Sequence, residues 1–372
     1  MTDHAAQAPL ALPASSRVLG QVARRAEAVV LPVAALLVGF AVFSIFLLVQ
    51  GKSPADFFAL TYRAGFGTAF SWQNTLSRTA PLLFAALCVA LPARLGLVII
   101  GGEGAMVLGG VAAGAAGVAL SGAIGLIALP LMAAFAMIIG GLWIGAVGAL
   151  RYYRGVNETI ASLLMAYIAI ALMNHLVEGP LRDPESLNKP STAPLPTPLR
   201  VGDIPGWEVH WGLAFGVLCC VLAWVLIDKT TWGFAARIAG GNMRAAQVQG
   251  LAVGPLIIGF TALGGALAGL AGFFEVAAVH GSANASLASG YGYTGILIAF
   301  LARHNPLAII PVAILLAGFE AASGLTQRRM DLPDATTLVL QGFVFVSILM
   351  SDTLYGRFKI FTPERWRTGD GK

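Results

Sequence analysis

Charged side chains are scarce in this chain of 372 residues, of which only 11% are Asp, Glu, Lys or Arg while 57% are hydrophobic. A typical soluble domain carries about 25% charged residues. So little charge excludes an ordinary soluble globular enzyme. The 45 glycines in so apolar a chain are typical of closely packed membrane-spanning helices. We therefore expect a protein that is mostly embedded in a lipid membrane.

Cysteines are also few. The three, Cys88, Cys219 and Cys220, all lie within apolar runs, where neither a disulfide framework nor a metal site is expected. The net charge is +5, but the basic residues are spread in short clusters between apolar runs instead of gathering on one face. That distribution argues against nucleic acid as a partner and is typical of signals that set membrane topology.

Nucleotide-binding and catalytic motifs are missing as well. The GKS at 51–53 resembles the end of a phosphate-binding loop, yet Phe46 stands where that loop requires glycine. The GYGYTG at 290–295 matches a dinucleotide fingerprint in letters alone, because it opens an apolar segment. It favours close helix packing, or an unwound helix beside a solute pathway. No catalytic constellation of histidines emerges, so we predict a chain that is not an enzyme and binds no cofactor itself.

Ten apolar runs approach the roughly 20 residues that a helix needs to cross the hydrocarbon of a bilayer. They predict an all-α, polytopic transmembrane helical bundle of about ten helices over 28–351, with polar tails at 1–27 and 352–372. The first run is longer than the apolar core of a cleavable signal peptide, so we expect it to be retained. The runs are 28–49, 79–93, 96–119, 123–149, 159–178, 211–228, 252–277, 289–302, 306–325 and 334–351.

The basic residues predict the orientation of this bundle. Ten crossings place both termini on one side, and with the termini in the cytoplasm fifteen of the 23 Lys and Arg residues face inward, as the positive-inside rule requires. The other eight would face outward, and the pair Arg328 and Arg329 is the clearest violation of the rule. These eight are Lys52, Arg63, Arg78, Arg182, Lys189, Arg200, Arg328 and Arg329. This orientation makes the proline-rich loop 179–210 extracytoplasmic and extended, and the polar loop 229–250 cytoplasmic. An Ala-rich stretch from Asn242 onward predicts a short helix in the second loop.

Polar residues inside the apolar runs mark a candidate solute pathway, because ionisable groups in a membrane are costly and usually functional. We predict that Glu103, Asn174 and Gln341 line this pathway, with a hydrogen bond between helices as the alternative role for each. Glu103 lies among glycines in the GGEG at 101–104, where a broken helix can expose backbone groups to a solute.

Five further polar residues have simpler explanations. His175, Glu275 and Glu320 lie within apolar runs or at their ends, and we expect them to form hydrogen bonds between helices. Asn157 and Glu158 stand at the start of the fifth run. Helix capping and a favourable acidic first turn are predicted there, with a direct functional role as the alternative.

Four blocks of the sequence carry a resemblance to a known family. They lie at 94–110 (RLGLVIIGGEGAMVLGG), 155–184, 230–253 (TTWGFAARIAGGNMRAAQVQGLAV) and 290–327. Together they resemble the permeases of bacterial ABC importers in the ribose, galactose and branched-chain amino acid group, most closely the nucleoside and simple-sugar branch. The family more often has Asn-Ile-Gly-x-Glu-Gly-Gln in the first block, where this chain has LGL and then GEGA. The likeness extends over most of the chain between residues 94 and 350.

The resemblance implies a fold like that of type II ABC importer permeases, and a coupling helix in the loop 229–250 that docks onto an ATPase. The residues that match the family's pattern in this loop are Gly240, Asn242, Arg244, Ala245, Ala246 and Gly250.

The resemblance also implies three protein partners in a bacterial inner membrane. These are a second homologous permease, a cytoplasmic ABC ATPase that binds ATP, and an extracytoplasmic solute-binding protein. On this basis we expect nucleoside import by alternating access, with simple-sugar import as the nearest alternative. From the residues alone, a stand-alone secondary transporter or channel and an intramembrane enzyme stay open as rival classes.

Overall fold

The computed structural model describes residues 14–122, 125–186, 189–333 and 335–354. Of the predicted tails, 1–13 and 355–372 lie outside these described residues. The first helix begins at Ala14, well before the apolar run that starts at residue 28. The assignment of the tails to the cytoplasm stays a prediction.

The described part of the chain forms thirteen α-helices. Short 3₁₀ turns lie at Thr197–Leu199 and Ala285–Leu287, and a π-helical turn at Glu275–His280 extends α10. The α-helices are α1 (Ala14–Val49), α2 (Pro54–Phe66), α3 (Ala69–Ala93), α4 (Gly102–Ala119), α5 (Gly125–Arg154), α6 (Glu158–Glu178), α7 (Gly212–Lys229), α8 (Thr231–Gly241), α9 (Met243–Val248), α10 (Val253–Phe274), α11 (Tyr291–Leu301), α12 (Pro306–Met330) and α13 (Ala335–Leu354).

The predicted all-α, polytopic bundle is confirmed. Each of the ten apolar runs coincides with one of these helices, and seven helices are long and apolar enough to cross a membrane within the described ranges. Two further apolar helices, Ala285–Leu301 and Ala335–Ser351, are shorter.

The sequence prediction missed α2 and the first part of α3. Asp56 and Arg63 interrupt the apolar character of α2, and six of the first ten residues of α3 are polar. Local capping sets both helix starts, because the Ser53 hydroxyl accepts the Asp56 N–H at 3.3 Å and the Thr68 hydroxyl accepts the Ser71 N–H at 3.1 Å. Hydropathy alone does not reveal these signals.

The described residues divide into two compact units, one formed by 14–52 with 338–354 and the other lying within 53–337. In the first unit, α1 lies against α13, where Gly39 approaches the backbone of Val344 and the rings of Phe46 and Phe343 lie 6.1 Å apart. The second unit contains the other eleven helices.

Helix α10 is the centre of the larger unit and packs against α3, α4 and α5. Two of its glycines permit this packing. A β-carbon on Gly269 would overlap the carbonyl oxygen of Ala136 on α5, and one on Gly272 would overlap the carbonyl oxygen of Met106 on α4. Small residues at such contacts let helix backbones approach closely, so that dispersion forces can hold the helices together without a hydrophobic driving force from water.

The described part of the proline-rich loop 179–210 consists of turns, one 3₁₀ turn and irregular backbone, and it pairs with the segment that follows α10. The N–H groups of Thr192, Leu195 and Val201 donate to carbonyl oxygens of 277–283 at 2.8 to 2.9 Å. At the end of the loop His210 is buried, its Nδ1 accepting the Gly212 N–H at 3.1 Å and its Nε2 lying 3.2 Å from the Ser77 carbonyl oxygen. Burial lowers the pKa of His210, against smaller opposing effects of the Ser77 carbonyl and Asp203.

We predict that Gly269→Ala destabilises the protein by about 1–3 kcal/mol, because the added methyl group overpacks the contact between α10 and α5. The matched control is Gly259→Ala on the same helix, where a β-carbon meets no atom within 4 Å. The control should be neutral or slightly stabilising, since alanine is the better helix former. Thermal unfolding midpoints of the purified protein in detergent measure both effects. Equal midpoints for the two variants would contradict this account of the core.

Candidate functional site

Glu103 is the centre of the candidate site. It lies in the first turn of α4 and its residue is only 1% exposed. The carboxylate accepts two backbone hydrogen bonds from the start of α11, from the Gly290 N–H at 2.7 Å and the Gly292 N–H at 2.6 Å. The first N–H groups of a helix have no partner within it and carry partial positive charge. Glu103 therefore caps α11 with a charged acceptor.

The glycines of the GYGYTG at 290–295 make this contact sterically possible. Gly290 adopts φ 88°, in the left-handed region that favours glycine. A β-carbon on Gly292 would overlap the backbone nitrogen of Glu103. The motif therefore serves close helix packing at the start of α11.

The two helices that meet at Glu103 are α4 and α11, and each is preceded by a stretch of non-helical backbone. The run 96–119 becomes helical only at Gly102, and α11 follows an irregular stretch over 281–290. Helix α6 fixes the stretch before α4, because the Ile100 N–H donates to the Ser162 hydroxyl and the Thr159 hydroxyl donates to the Val98 carbonyl, each at 3.0 Å. The backbone groups of this non-helical stretch are thus partly satisfied by α6, as membrane surroundings require.

The contact at Glu103 lies deep in the bundle. At the other end of α11, an Arg94 guanidinium nitrogen donates to the His304 carbonyl oxygen at 2.8 Å. The eleven residues of α11 extend over roughly 16 Å at 1.5 Å per residue, about half of the hydrocarbon thickness of a bilayer. The first turns of α4 and α11 therefore meet about 16 Å along α11 from the contact between Arg94 and His304.

Further ionisable groups surround this contact. Glu275, in the π-helical turn, is 4% exposed and close enough to Arg78, Glu103 and Glu320 to interact with them electrostatically. The side chains of Arg78 and Tyr291 are close enough to interact electrostatically. Buried carboxylates are costly unless they are paired or hydrogen-bonded, so Arg78 is the cation that offsets part of this cost.

Two more contacts connect the acidic groups to their surroundings. The Thr294 hydroxyl donates to a Glu320 carboxylate oxygen at 3.0 Å, which joins α11 to α12. Glu275 lies 3.5 Å from His280 Nε2. The hydrogen bond between helices that is expected for Glu320 is thus present. The ion-pair partner of Glu275, by contrast, is His280 in the same helical turn.

The other two predicted pathway residues lie on other helices. Asn174 is half-buried on α6, and among the described residues no hydrogen bond or ion pair joins it to Glu103. Gln341 is buried on α13, in the smaller unit. Their role in a pathway stays a prediction. Arg78 was counted only as an outward-facing basic residue, because it stands in the polar part of α3 that hydropathy places before the membrane segment.

The loop 229–250 folds into two short helices, α8 and α9, and the predicted helix from Asn242 onward is confirmed. The Asn242 side-chain oxygen accepts the Ala245 N–H at 2.9 Å and caps α9. Gly250 ends this region with φ 82°. Gly240 lies directly on the turn before α4, since a β-carbon there would overlap the Arg94 carbonyl oxygen. The loop therefore contacts the same non-helical stretch that leads to Glu103.

The outer surface of α8 and α9 is unusually apolar. Trp232, Phe234 and Val248 are 61%, 59% and 86% exposed, and large exposed apolar side chains are typical of a protein interface when they are grouped. Arg244 and Ala245 are also exposed, whereas Ala246 is buried. The six predicted coupling residues thus divide into exposed positions and positions that hold the loop together.

The start of α6 follows the capping prediction. The Asn157 side-chain oxygen accepts the N–H groups of Thr159 and Ile160 at 2.9 and 3.1 Å. Glu158 lies in the acidic first turn and forms an ion pair with Arg151 at 3.3 Å. These contacts account for both residues structurally.

Comparison with known proteins gives this arrangement a family. Residues 71–349 match the family described as branched-chain amino acid transport system / permease component. The chain is 31% identical to the glucose ABC transporter permease protein of Haloferax volcanii over 88% of its own length and 89% of that protein. It is also 31% identical to the guanosine ABC transporter permease protein of Bacillus subtilis, over 80% of this chain and 86% of the relative.

A nucleoside ABC transporter permease protein of Lactococcus lactis is 22% identical over 85% of this chain and 90% of its own length. The family match covers well over half of the chain, and the relatives are matched over nearly their full lengths. Such permease subunits are multi-pass membrane proteins without catalytic activity or a cofactor of their own. The chain belongs to the branched-chain amino acid transport system permease family, and it is the permease subunit of an ABC transporter.

Proposed function

We propose that this permease imports nucleosides across a bacterial inner membrane, with both of its termini in the cytoplasm. It pairs with a second homologous permease, receives solute from an extracytoplasmic binding protein and is driven by a cytoplasmic ATPase that binds ATP. One observation carries the transport mechanism: the loop 229–250 packs on the turn at Arg94, which leads directly to the broken helix at Glu103. The names of the guanosine and nucleoside permeases support the nucleoside as the solute.

The proposed mechanism is alternating access without covalent chemistry on the solute. Movement of an ATPase bound at α8 and α9 reaches Arg94 through Gly240, and then the start of α4. Because Glu103 binds the N-terminus of α11, a shift of α4 also moves α11 and with it the lining of the pathway. Ligand binding elsewhere shifts such an equilibrium only through different contacts in its two states.

Simple-sugar import is the second candidate, and the similarity to the glucose permease favours it. The decisive experiment measures uptake by the complete transporter reconstituted in proteoliposomes with its binding protein. We expect ATP-dependent accumulation of a radiolabelled nucleoside such as guanosine that excess unlabelled ribose or glucose does not reduce. Accumulation of a sugar without any nucleoside uptake would reject the nucleoside proposal and leave the importer mechanism intact.

The coupling role of α9 is tested best at Ala245, which is exposed, since a change at the buried Ala246 would also disturb the loop itself. We expect Ala245→Glu to reduce ATP-driven uptake by at least about tenfold, because a bulky charge at an apolar interface costs more than about 1.4 kcal/mol of binding energy. Co-purification of the ATPase with the permease should fall in parallel.

Ala55→Glu is the matched control, since Ala55 is also an exposed alanine in the first turn of a helix, α2. It should leave uptake and co-purification unchanged. Uptake that persists in Ala245→Glu, or uptake by the permease alone without an ATPase, would instead support a stand-alone secondary transporter.

Glu103 is proposed to be part of the pathway as well as the cap of α11. In Glu103→Gln the side-chain NH₂ group faces a backbone N–H group, and two donors cannot form a hydrogen bond. The loss should lower the free energy of unfolding by about 1–3 kcal/mol. We expect the variant to insert into the membrane and to retain ATPase binding, but to transport at least about tenfold more slowly. Glu178→Gln, at an exposed position of α6, controls for loss of an acidic group. Normal transport by Glu103→Gln would contradict the pathway role.

A further inference from the structure

Two tyrosines flank the first turn of α4 and are exposed on the larger unit. Tyr167 on α6 is 59% exposed and Tyr293 on α11 is 39% exposed. In the sequence, each tyrosine comes immediately after a residue that contacts the start of α4. A β-carbon on Gly104 would lie 2.7 Å from the Ala166 Cα atom, and Gly292 lies against the Glu103 backbone. Tyr293 is also close enough to Tyr167 and to Glu103 for electrostatic interaction.

The depth of Tyr167 makes its exposure informative. It is the tenth of the 21 residues of α6, so it lies roughly 15 Å from either end of the helix, in the middle of a hydrocarbon layer about 30 Å thick. Tyrosine in membrane proteins is enriched at the two interfaces instead, because a hydroxyl group in hydrocarbon loses its hydrogen bonds. An exposed tyrosine near the middle of α6 is therefore unusual and indicates a polar partner for its hydroxyl group.

The neighbours of Tyr167 on α6 show the contrast. Ile160, Leu164 and Ile168 are 60%, 56% and 56% exposed, as is expected of a helix that faces lipid or another apolar helix. Tyr167 alone among these four adds a hydroxyl to the exposed surface, and it does so where α4 and α11 are broken. The polar patch is thus local to the site and is not a general property of α6.

The chemistry of the patch suits a flat, uncharged solute. Both oxygens of the Glu103 carboxylate are engaged by backbone N–H groups at 2.6 and 2.7 Å, so the solute meets two phenol rings and their hydroxyls. An aromatic ring can stack on the face of any nucleobase, whatever hydrogen-bond donors and acceptors that base carries at its edge. The hydroxyl at the ring edge can donate or accept one hydrogen bond at the base or the sugar.

From this geometry we propose that Tyr167 and Tyr293 form an aromatic contact that holds the planar base of a nucleoside as it passes the middle of the membrane. The proposal rests on the nucleoside function proposed above and names the residues that would recognise the base. The binding protein sets the affinity for the solute outside, so this contact acts on the rate of translocation and not on the concentration that half-saturates uptake.

The test uses the complete transporter in proteoliposomes and compares Tyr167→Ala and Tyr293→Ala with the corresponding phenylalanine variants. We expect each alanine variant to lower the maximal rate of guanosine uptake roughly tenfold, and each phenylalanine variant to stay within about twofold of the wild type, because the ring supplies most of the stacking. Ile168→Ala, next to Tyr167 on the same exposed surface, should not change the rate.

A second readout separates recognition of the base from a structural role. Cytidine has a smaller ring than guanosine, so loss of a stacking partner should slow guanosine uptake more and shift the ratio of the two rates. A structural defect would slow both solutes equally, leave the ratio of their rates unchanged, and overturn the proposal. Unchanged guanosine uptake in both alanine variants would also overturn it while the nucleoside function stands. Wild-type uptake of sugars alone would overturn both.

Discussion

One buried carboxylate, that of Glu103, holds the centre of this permease together by accepting hydrogen bonds from two backbone N–H groups. Glu103 satisfies the first donors of α11, and those donors in turn make the burial of an acidic group tolerable. Without this exchange the structure would contain both an unpaired charge and an uncapped helix within the membrane. The irregular stretches before α4 and α11 depend on it, because it fixes where each helix begins.

The surroundings of this contact show how a membrane protein supports non-helical backbone. On one side α6 supplies hydroxyl groups to the stretch before α4. On the other side the proline-rich loop supplies backbone partners to the segment after α10. Gly101 and Gly104 bring α6 close enough for its contacts. Rigid packing at the centre thus coexists with irregular backbone beside it, as is common where solutes cross a membrane.

The sequence predicted the helices wherever apolar character was continuous, and it failed where polar residues continue a helix, as in α2 and the start of α3. Local signals were reliable when the partner is close in sequence, as for Asn242 and the Ala245 N–H. Glu103 was singled out by its cost in a membrane, but its partner Gly290 stands 187 positions later. No periodicity in a single sequence identifies so distant a pairing. The burial of Ala246 beside the exposed Ala245 likewise follows from tertiary packing alone.

The ties at the two ends of α11 have a mechanical consequence. Its first turn is bound by Glu103, while the residue three positions beyond its end is bound by Arg94. Both anchors belong to one short stretch of chain, so α11 and the beginning of α4 form a closed frame with little freedom to slide past each other. Rearrangement during a transport cycle is then confined to displacement of this frame as one rigid piece. The backbone over 281–290 links this frame to the π-helical turn that extends α10, and hydrogen bonds to the proline-rich loop hold that link in turn.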